Sequence, residues 1–378
     1  MKVYLNAFPW HVSPKNTDWR LYWDIARLSE RHPQVQTYLP QAWITGLGPN
    51  LAYTGKALLR RARLAPYAPL AWFPGVKANH VWPPEFRRFA PDVIYTHEYF
   101  PRNTGNTPIV FSPGFEDPAE ARARGISDAF LQRERVLKRE LARKSAIVVL
   151  STEEAGQRMM QAFPESAHKV RALPFYKPDL RPVARDHVIR KQTETGVLRL
   201  LFVGLQARLK GLDTVIAALA EVERVRPGRL VLDVYSDFRG GPVPVPEGLP
   251  VVLHGAQPHA QVLARFREAH VYVMPSRRDS YGFVFIEAMA NGCATIMPDR
   301  AVQREMTADG TAGMLVPAGD SAALTVALLQ LIDEPARRLE IALAGHQRYL
   351  GNYDADPVGR RFIDAFDDAI RNGAGSGT

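Results

Sequence analysis

The chain has 378 residues, of which 46% are hydrophobic and 23% are charged, as in folded globular proteins and unlike disordered ones. Its formal net charge of +9 lies in the first half, because residues 1–175 carry 24 Lys and Arg against 15 Asp and Glu, whereas residues 176–378 carry 24 cationic and 24 acidic residues. One cysteine, Cys293, excludes a disulfide framework and a cysteine metal cluster, and no apolar run is long enough to cross a bilayer.

Strand-like and helix-like segments alternate through the first half, which is typical of parallel α/β sheets. In chain order, strands are predicted at KVYLNAF, DVIYTHEYF, PIVFSPG and AIVVLS, and helices at DWRLYWDIARLSER and SDAFLQRERVLKRELARKS. In the second of these helices we expect four side chains to face inward: Phe130, Val136, Leu137 and Leu141. Residues 35–90 give no clear pattern.

The second half repeats the alternation. Strands are predicted at LRLLFVG, LVLDVYS, PVVLHG, VYVMPS, ATIMPD and GMLVPAG. Helices are predicted at LDTVIAALAEVERV, at AQVLARFREA, from Tyr281–Gly282 to Asn291–Gly292, at SAALTVALLQLIDEP with Ser321 as its N-cap, and at PVGRRFIDAFDDAIRN.

A chain of this length exceeds a comfortable single core, so two domains are expected. We predict a basic N-terminal domain over residues 1–175 and a C-terminal domain over residues 198–356. Residues 176–197 are predicted to link them, because Pro, Lys, Arg and Asp mix there without an apolar period. A last helix is predicted over residues 357–372 and a flexible tail over residues 373–378.

The segment RRDSYGFVFIEAMANG, residues 277–292, contains one acid in an otherwise apolar helix. Glu287 has apolar third and fourth neighbours, so it is expected to be buried, and a buried carboxylate needs hydrogen-bond donors. If the protein does not supply them, a ligand with vicinal hydroxyls, such as a ribose, would. The alternative is a structural, salt-bridged glutamate. The helix start at Gly282 and Phe283 offers free N–H groups to a phosphate.

A second candidate site is the loop GLQARLKGLD, residues 204–213, which follows a predicted strand and precedes a helix. Arg208 and Lys210 lie in this loop, and anionic ligands bind at such strand-to-helix loops of parallel sheets. A solvated loop lysine is the alternative for Lys210. The sequence contains neither G-x-G-x-x-G nor the P-loop motif, which argues against a dehydrogenase and an ATPase.

The order of LLFVGLQARLKGLDTVIAAL, VVLHGAQPHAQVLARFREAHVYVMPS, DSYGFVFIEAMANGCATIMPD and GMLVPAGDSAAL resembles the donor domain of family-4 retaining glycosyltransferases over residues 198–335. The resemblance implies the GT-B fold, with two Rossmann-like domains facing each other across a cleft and a C-terminal helix crossing back to the first domain. It also implies that the second domain binds a nucleotide-sugar donor.

The same resemblance assigns roles to single residues. Glu287 would hold the ribose hydroxyls, and Asp279 would contact the donor sugar in a pair of acids separated by seven residues. The N–H groups of Gly282 and Phe283, with Lys210 opposite, would bind the diphosphate. PDVIYTHEYF is similar to the strand that carries a histidine facing the donor sugar, which would be His97; an ordinary strand-end histidine is the alternative.

Three positions depart from the family pattern. Leu205 stands where these enzymes usually have an arginine, so Arg208 or Arg277 is expected to replace it. Asp279 is one methylene shorter than the usual Glu. The glycine-rich turn near the N-terminus is replaced by FPWHVSPKNTDW.

The function expected from the resemblance is transfer of a sugar from a nucleoside diphosphate to an acceptor hydroxyl with retention, in cell-surface polysaccharide or glycolipid assembly. The donor half has no D-x-D stretch suited to a divalent ion, so neither a metal nor another cofactor is expected. Two alternatives remain: another class of GT-B enzyme, and a degenerate protein that binds nucleotide-sugar or scaffolds a glycan pathway. The sequence pI of 9.6 alone does not indicate a nucleic-acid partner, because no basic-aromatic reading element accompanies it.

The densest basic segment, Lys56 to Arg88, carries seven cations against one acid. Such a patch attracts an anionic membrane surface or a phosphorylated lipid, and a solvated basic face is the alternative. Since the start MKVYLNAFPWHVSPK is too short and polar for a signal peptide, we expect a cytoplasmic protein, held peripherally at the inner face of the membrane if the patch binds lipid. The expected acceptor is a glycan or a lipid-linked group.

Overall fold

The computed structural model describes residues 1–6, 24–39, 78–80, 83–97, 100–102, 105–115, 117–123, 125–238, 241–279 and 281–374. The chain divides into two compact units. The first unit consists of Met1–Pro178 together with Ala355–Thr378, and the second of Asp179–Asp354.

The first unit is built on a six-stranded parallel sheet with the strand order β2-β1-β4-β6-β7-β8. Two further strands, β3 and β5, pair with each other in parallel. The strands are β1 (Lys2–Leu5), β2 (Gln36–Tyr38), β3 (Ala78–His80), β4 (Val93–His97), β5 (Phe100–Arg102), β6 (Ile109–Ser112), β7 (Ile147–Leu150) and β8 (Val170–Ala172).

Helices lie between most of these strands along the chain, as is usual for parallel neighbours. The described helices are α1 (Leu28–Arg31), α2 (Pro83–Phe89), α3 (Pro118–Ala123), α4 (Asp128–Lys144), α5 (Glu153–Ala162), a 3₁₀ helix (Pro164–Lys169) and the last helix of the chain, α13 (Ala355–Ala374). In α4 the Ser127 side chain accepts a hydrogen bond from the Phe130 N–H and caps the helix. Leu141 is buried as predicted, but Val136 is 60% exposed, so its inward assignment was wrong.

Apolar side chains cover both faces of the first sheet. On one face the ring of Tyr95 packs edge-on against Phe362 and Phe366 of α13, with centroid distances of 6.2 Å. On the other face Ile94 lies in a cluster with Leu141 of α4. Because adjacent strand residues point to opposite faces, this continuous apolar strand needs cover on both sides. The last helix of the chain therefore belongs to the first unit.

The second unit contains a six-stranded parallel sheet with the order β11-β10-β9-β12-β13-β14. Its six strands thus follow the order 3-2-1-4-5-6 along the chain, in which β9 and β12 flank the point where the strand order reverses. The strands are β9 (Leu198–Val203), β10 (Leu230–Tyr235), β11 (Val251–Leu253), β12 (Val271–Val273), β13 (Ala294–Pro298) and β14 (Met314–Val316).

Seven helices of the second unit lie in the described residues. They are α6 (Arg185–Thr193), α7 (Leu212–Val225), α8 (His259–Glu268), α9 (Phe283–Ala290), α10 (Ala301–Thr307), α11 (Ser321–Asp333) and α12 (Pro335–Asn352). The N-cap predicted at Ser321 is wrong: Asp320 caps α11 by accepting a hydrogen bond from the Ala323 N–H. Helices α6, α10 and α12 were not predicted.

The linker predicted over residues 176–197 is not a linker, because the second unit already begins at Asp179 and α6 lies inside that range. Helix α6 is fixed by buried polar side chains. Lys191 donates to the carbonyl oxygens of Asn291 (2.6 Å) and Phe266 (3.3 Å). Gln192 donates to the carbonyl oxygens of His270 (2.8 Å) and Gly292. Polar residues that the sequence places at the surface here satisfy buried carbonyl groups instead.

Candidate functional site

The loop between β9 and α7 packs closely against the chain that leaves β12. A Cβ atom at Gly204 would lie 2.9 Å from Cγ of Lys210, and one at Gly211 would lie 2.5 Å from the Pro275 carbonyl oxygen. Gly211 also has φ of +85°, which disfavours other residues. Gly211 therefore lets this loop lie directly on the segment that follows β12 at the carboxyl edge of the sheet, and Gly204 leaves room for the Lys210 side chain. Leu205 in the same loop is 53% exposed.

Lys210 and Asp279, predicted separately, form an ion pair. The Lys210 Nζ lies 2.7 Å from Asp279 Oδ2 and donates to the Arg278 carbonyl oxygen at 3.1 Å. The side chains of Lys210 and Asp279 are 19% and 11% exposed, so this pair is only partly screened by water. Within the described residues, the third Nζ–H of Lys210 and the Oδ1 of Asp279 have no protein partner. Both groups remain available to a ligand.

Arg277 is held by Asp213 at the start of α7. Its two terminal nitrogens lie 2.7 and 2.9 Å from the two Asp213 carboxylate oxygens, and it also donates to the Arg208 carbonyl oxygen at 2.7 Å. Burial alone would raise the pKa of Asp213, but the hydrogen bond and the charge of Arg277 lower it below its usual value. Arg277 is thus engaged in joining the two loops. Arg208 makes a single side-chain bond, to the Pro242 carbonyl oxygen at 3.1 Å, and is the better replacement for the arginine missing at Leu205.

Gly282 sets the start of α9. It has φ of +93° and ψ of 47°, and a Cβ atom there would lie 2.6 Å from Cδ2 of Phe285. A residue with a side chain would be strained by the positive φ and would also clash with the Phe285 ring. The glycine has no side chain to cap the helix, which begins at Phe283. The N–H groups of the first turn of a helix lack intrahelical acceptors, so this start suits an anion.

Glu287 lies in the middle of α9 and is 3% exposed. Its Oε1 is 2.8 Å from Nε2 of His259, the first residue of α8, whose side chain is 48% exposed. The sequence left open whether the protein or a ligand supplies the hydrogen-bond donors to Glu287, and His259, which was not predicted, supplies one of them. The signal available in the sequence was a histidine directly after Pro258 at a helix start. Asn291 ends α9 and donates to the Glu287 carbonyl oxygen at 2.8 Å.

His97 is the last residue of β4 in the first unit, at the carboxyl end of that sheet. It is buried, and its Nδ1 lies 3.3 Å from the Ser112 Oγ at the end of the neighbouring strand β6. His97 and Ser112 are paired in the register of β4 and β6, and each is the last residue of its strand. The histidine therefore lies at the carboxyl end of the strands.

In the part of the chain that the structure describes, no group of three or more His, Cys, Asp or Glu side chains is arranged to hold a metal ion. No helix among the described residues is both long and apolar enough to span a bilayer. Most of the predicted basic segment Lys56 to Arg88 lies outside the described residues; Arg87 and Arg88, at the end of α2, are exposed.

The family model for glycosyl transferases group 1 matches residues 198–334. D-inositol 3-phosphate glycosyltransferase of Segniliparus rotundus is 26% identical over 252 residues, which cover 62% of this chain and 55% of the relative. The chain thus spans little more than half the length of this relative.

Two solved structures have a similar fold. Sucrose-phosphate synthase of Thermosynechococcus elongatus has a TM-score of 0.64 and 14% identity, covering 98% of this chain and 99% of its own. Anabaena HepE, solved in complex with UDP-glucose, has a TM-score of 0.57 and 14% identity, covering 97% and 99%. Residues 198–334 therefore match the glycosyl transferases group 1 family, and the fold is GT-B. The predicted resemblance of the second half is confirmed.

Proposed function

We propose that this chain is a retaining glycosyltransferase that moves a sugar from a nucleoside diphosphate to an acceptor hydroxyl. The observation that carries the proposal is the Lys210–Asp279 pair beside the start of α9, inside the group 1 domain. One side of the pair offers a free ammonium proton for a phosphate, and the other offers a free carboxylate oxygen for a sugar hydroxyl. An ion pair with a purely structural role needs neither the free ammonium proton nor the free carboxylate oxygen.

Each group has a distinct role in the proposal. Glu287 accepts hydrogen bonds from the ribose hydroxyls, and the N–H groups at Gly282 and Phe283 bind the diphosphate. Lys210 is a fixed positive charge for the same diphosphate. Asp279 contacts the hydroxyls of the donor sugar.

The chemical step breaks the bond between the anomeric carbon and the diphosphate, so negative charge builds on the leaving group. Lys210, Arg208 and the start of α9 stabilise that charge from positions fixed before the reaction, without a metal ion. The acceptor hydroxyl attacks from the face that the diphosphate leaves, which retains the anomeric configuration, and the leaving phosphate takes the proton of the acceptor. His97 and Asp279 position the sugar and stabilise its positive character.

The proposal is tested by calorimetry against UDP-, GDP- and ADP-sugars, followed by NMR analysis of the products with and without acceptor. We expect one donor to bind and to be hydrolysed slowly in the absence of acceptor. Glu287→Gln should abolish both effects, because the amide presents a donor where an acceptor is needed. Glu247→Gln, which makes the same change of charge at an exposed loop position of the same unit, should alter neither. Absence of binding by the wild type to all three donor classes contradicts the proposal.

A second candidate function is nucleotide-sugar binding without transfer. It is favoured by Leu205, which is exposed where an arginine is usual in the resembling enzymes, and by Arg277, which is engaged with Asp213. Donor binding with no hydrolysis and no product across acceptors would support this candidate. Hydrolysis that Lys210→Met abolishes would exclude it.

For the acceptor, we propose a glycan or a lipid-linked group in glycolipid or cell-surface polysaccharide assembly. The support is the net charge of +9 on residues 1–175 and the name of the Segniliparus relative, which acts on an inositol phosphate. The same charge would hold the protein peripherally at an anionic membrane. Co-sedimentation with phosphatidylserine vesicles should be strong at low salt and lost at high salt. No sedimentation at low salt would remove the membrane part of this proposal.

A further inference from the structure

The imidazole ring of His259 connects the buried carboxylate of Glu287 to the surface. Glu287 is 3% exposed, whereas the His259 side chain is 48% exposed, and the two meet at 2.8 Å. The residues come from different helices: His259 begins α8 and Glu287 lies in the second turn of α9. Their bond therefore fixes the position of one helix start relative to the middle of another.

The hydrogen bond requires the proton on Nε2, since a carboxylate oxygen can only accept. Nε2 carries this proton in the neutral Nε2–H tautomer and in the imidazolium, so the bond does not depend on the charge of the ring. The terminal torsion of a glutamate is broad, so a hydrogen bond to one carboxylate oxygen restricts the direction of both. The His259 bond to Oε1 therefore contributes to orienting the Glu287 carboxylate.

We propose that His259 is a positioning residue for the nucleoside of the donor: its Nε2–H orients the Glu287 carboxylate towards the ribose hydroxyls. The inference rests on the proposed function and adds to it a residue from α8. A carboxylate that is already oriented pays less to bind vicinal hydroxyls than one that must be ordered on binding. His259 therefore contributes to recognition of the ribose, through Glu287, and not to the diphosphate or the sugar.

A structural role for His259 makes a different prediction. If the ring only satisfied a buried carboxylate, its loss would lower the melting temperature and weaken all ligands alike. If it orients Glu287, its loss weakens ligands that have ribose hydroxyls and leaves ligands without them unchanged. The discrimination between a ribose and a dideoxyribose ligand separates the two roles.

The experiment measures binding of UDP and of 2′,3′-dideoxy-UDP by calorimetry, or of the ADP or GDP pair if the wild type prefers that base. The proteins are the full-length wild type, His259→Asn and His259→Gln. Glutamine places an N–H donor at a reach similar to Nε2, whereas asparagine is too short to reach Oε1. His187→Ala is the matched control, because His187 is a half-buried histidine of the same unit that contacts the Arg267 carbonyl oxygen at 3.0 Å.

The wild type should prefer the ribose ligand, and His259→Asn should reduce that preference about tenfold, the equivalent of about 1.4 kcal/mol. His259→Gln should keep most of it, and His187→Ala all of it. A preference that is the same in wild type and His259→Asn overturns the inference, even if the melting temperature falls. If the wild type binds none of the nucleoside diphosphates, the proposed function itself fails, which is a separate result.

Discussion

The two units are built on the same kind of parallel sheet, but they place their charges differently. In the second unit, oppositely charged side chains from separate segments meet at one edge of the sheet, as in Lys210–Asp279, where both partners are largely buried. In the first unit, two ion pairs of α4 lie on its solvent side, because Lys144 contacts Glu140 and Arg139 contacts Glu165, whereas the largely buried pair Lys138–Glu134 joins residues four apart on that one helix.

This difference shows that the net charge of a segment and the pairing of its charged side chains carry different information. The first half has an excess positive charge of +9, so its surface attracts negatively charged partners. The second half has no excess, yet Lys210 and Asp279 from two separate segments pair there, largely buried, at one edge of the sheet. Net charge therefore indicates which surface attracts an anionic partner. Pairing between separate segments, as in Lys210–Asp279, indicates where the candidate site lies.

The largest effect is expected from Lys210. Lys210→Met keeps an apolar stem against Gly204 but removes the ammonium group, so the departing diphosphate loses a preorganised charge. We expect turnover to fall by about 10²- to 10³-fold, with a smaller change in donor KM. Initial rates of donor hydrolysis and of transfer measure this.

Arg226→Met is the control for Lys210. Arg226 is also a cation of the second unit, but its partner Asp333 is exposed and belongs to a different surface. Turnover should be unchanged in this variant. Equal losses in both variants would mean that net charge, and not the paired site, supports the reaction.

A smaller effect, on stability, is expected at the start of α9. Gly282→Ala introduces a Cβ atom 2.6 Å from the Phe285 ring at a φ of +93°, so the free energy of unfolding should fall by about 3 kcal/mol. Gly248→Ala has a φ of +80° but open space around the new Cβ, so only the backbone strain, about 1 kcal/mol, should remain. Urea unfolding of both variants checks the difference. Equal losses would show that Phe285 yields, and that the close approach at α9 is not rigid.

The pH dependence of stability probes a buried histidine next to α6. Burial, and then the charge of Arg199, lower the pKa of His270 from 6.5 to about 4, while Glu194 partly opposes the shift. Because the unfolded chain takes up this proton at a higher pH than the folded one, stability falls as the pH drops from 6.5 towards 4. The loss due to this residue should approach about 2 kcal/mol at pH 4.

His270→Asn removes the titration and keeps an acceptor near the Arg199 N–H, which bonds Nδ1 at 3.0 Å. Its free energy of unfolding should therefore decline less between pH 6.5 and 4 than that of the wild type. Parallel declines in the two proteins would assign the acid sensitivity to other groups.

The sequence predicted most of the second unit because its pattern is strong there. Helix α7 matches its predicted segment residue for residue, and the strands before and after the site lie where apolar runs indicate. Glu287 could also be placed in a buried helix from its neighbours alone. These features depend on local periodicity, which a sequence displays directly.

The parts that could not be predicted depend on contacts between distant segments. Helix α6 looks like a polar linker because Lys191 and Gln192 appear solvated, and only the fold shows the carbonyl groups that they satisfy. The pairing of His259 with Glu287 joins residues 28 positions apart, and the engagement of Arg277 by Asp213 joins residues 64 apart. No local pattern marks such partners, so their roles had to come from geometry.

The smallest effects compare one ion pair from each unit. Arg277→Met breaks a bidentate contact with Asp213 and also a bond to the Arg208 carbonyl oxygen, so the melting temperature should fall by about 2 to 4 °C. Arg139→Met removes a contact to Glu165 on the exposed side of α4 and should leave the melting temperature unchanged, because water and salt screen that pair. Repeating both measurements at high salt should leave the Arg277→Met difference largely in place. If the two variants behave alike, the paired charges of the second unit are no more preorganised than the surface charges of the first.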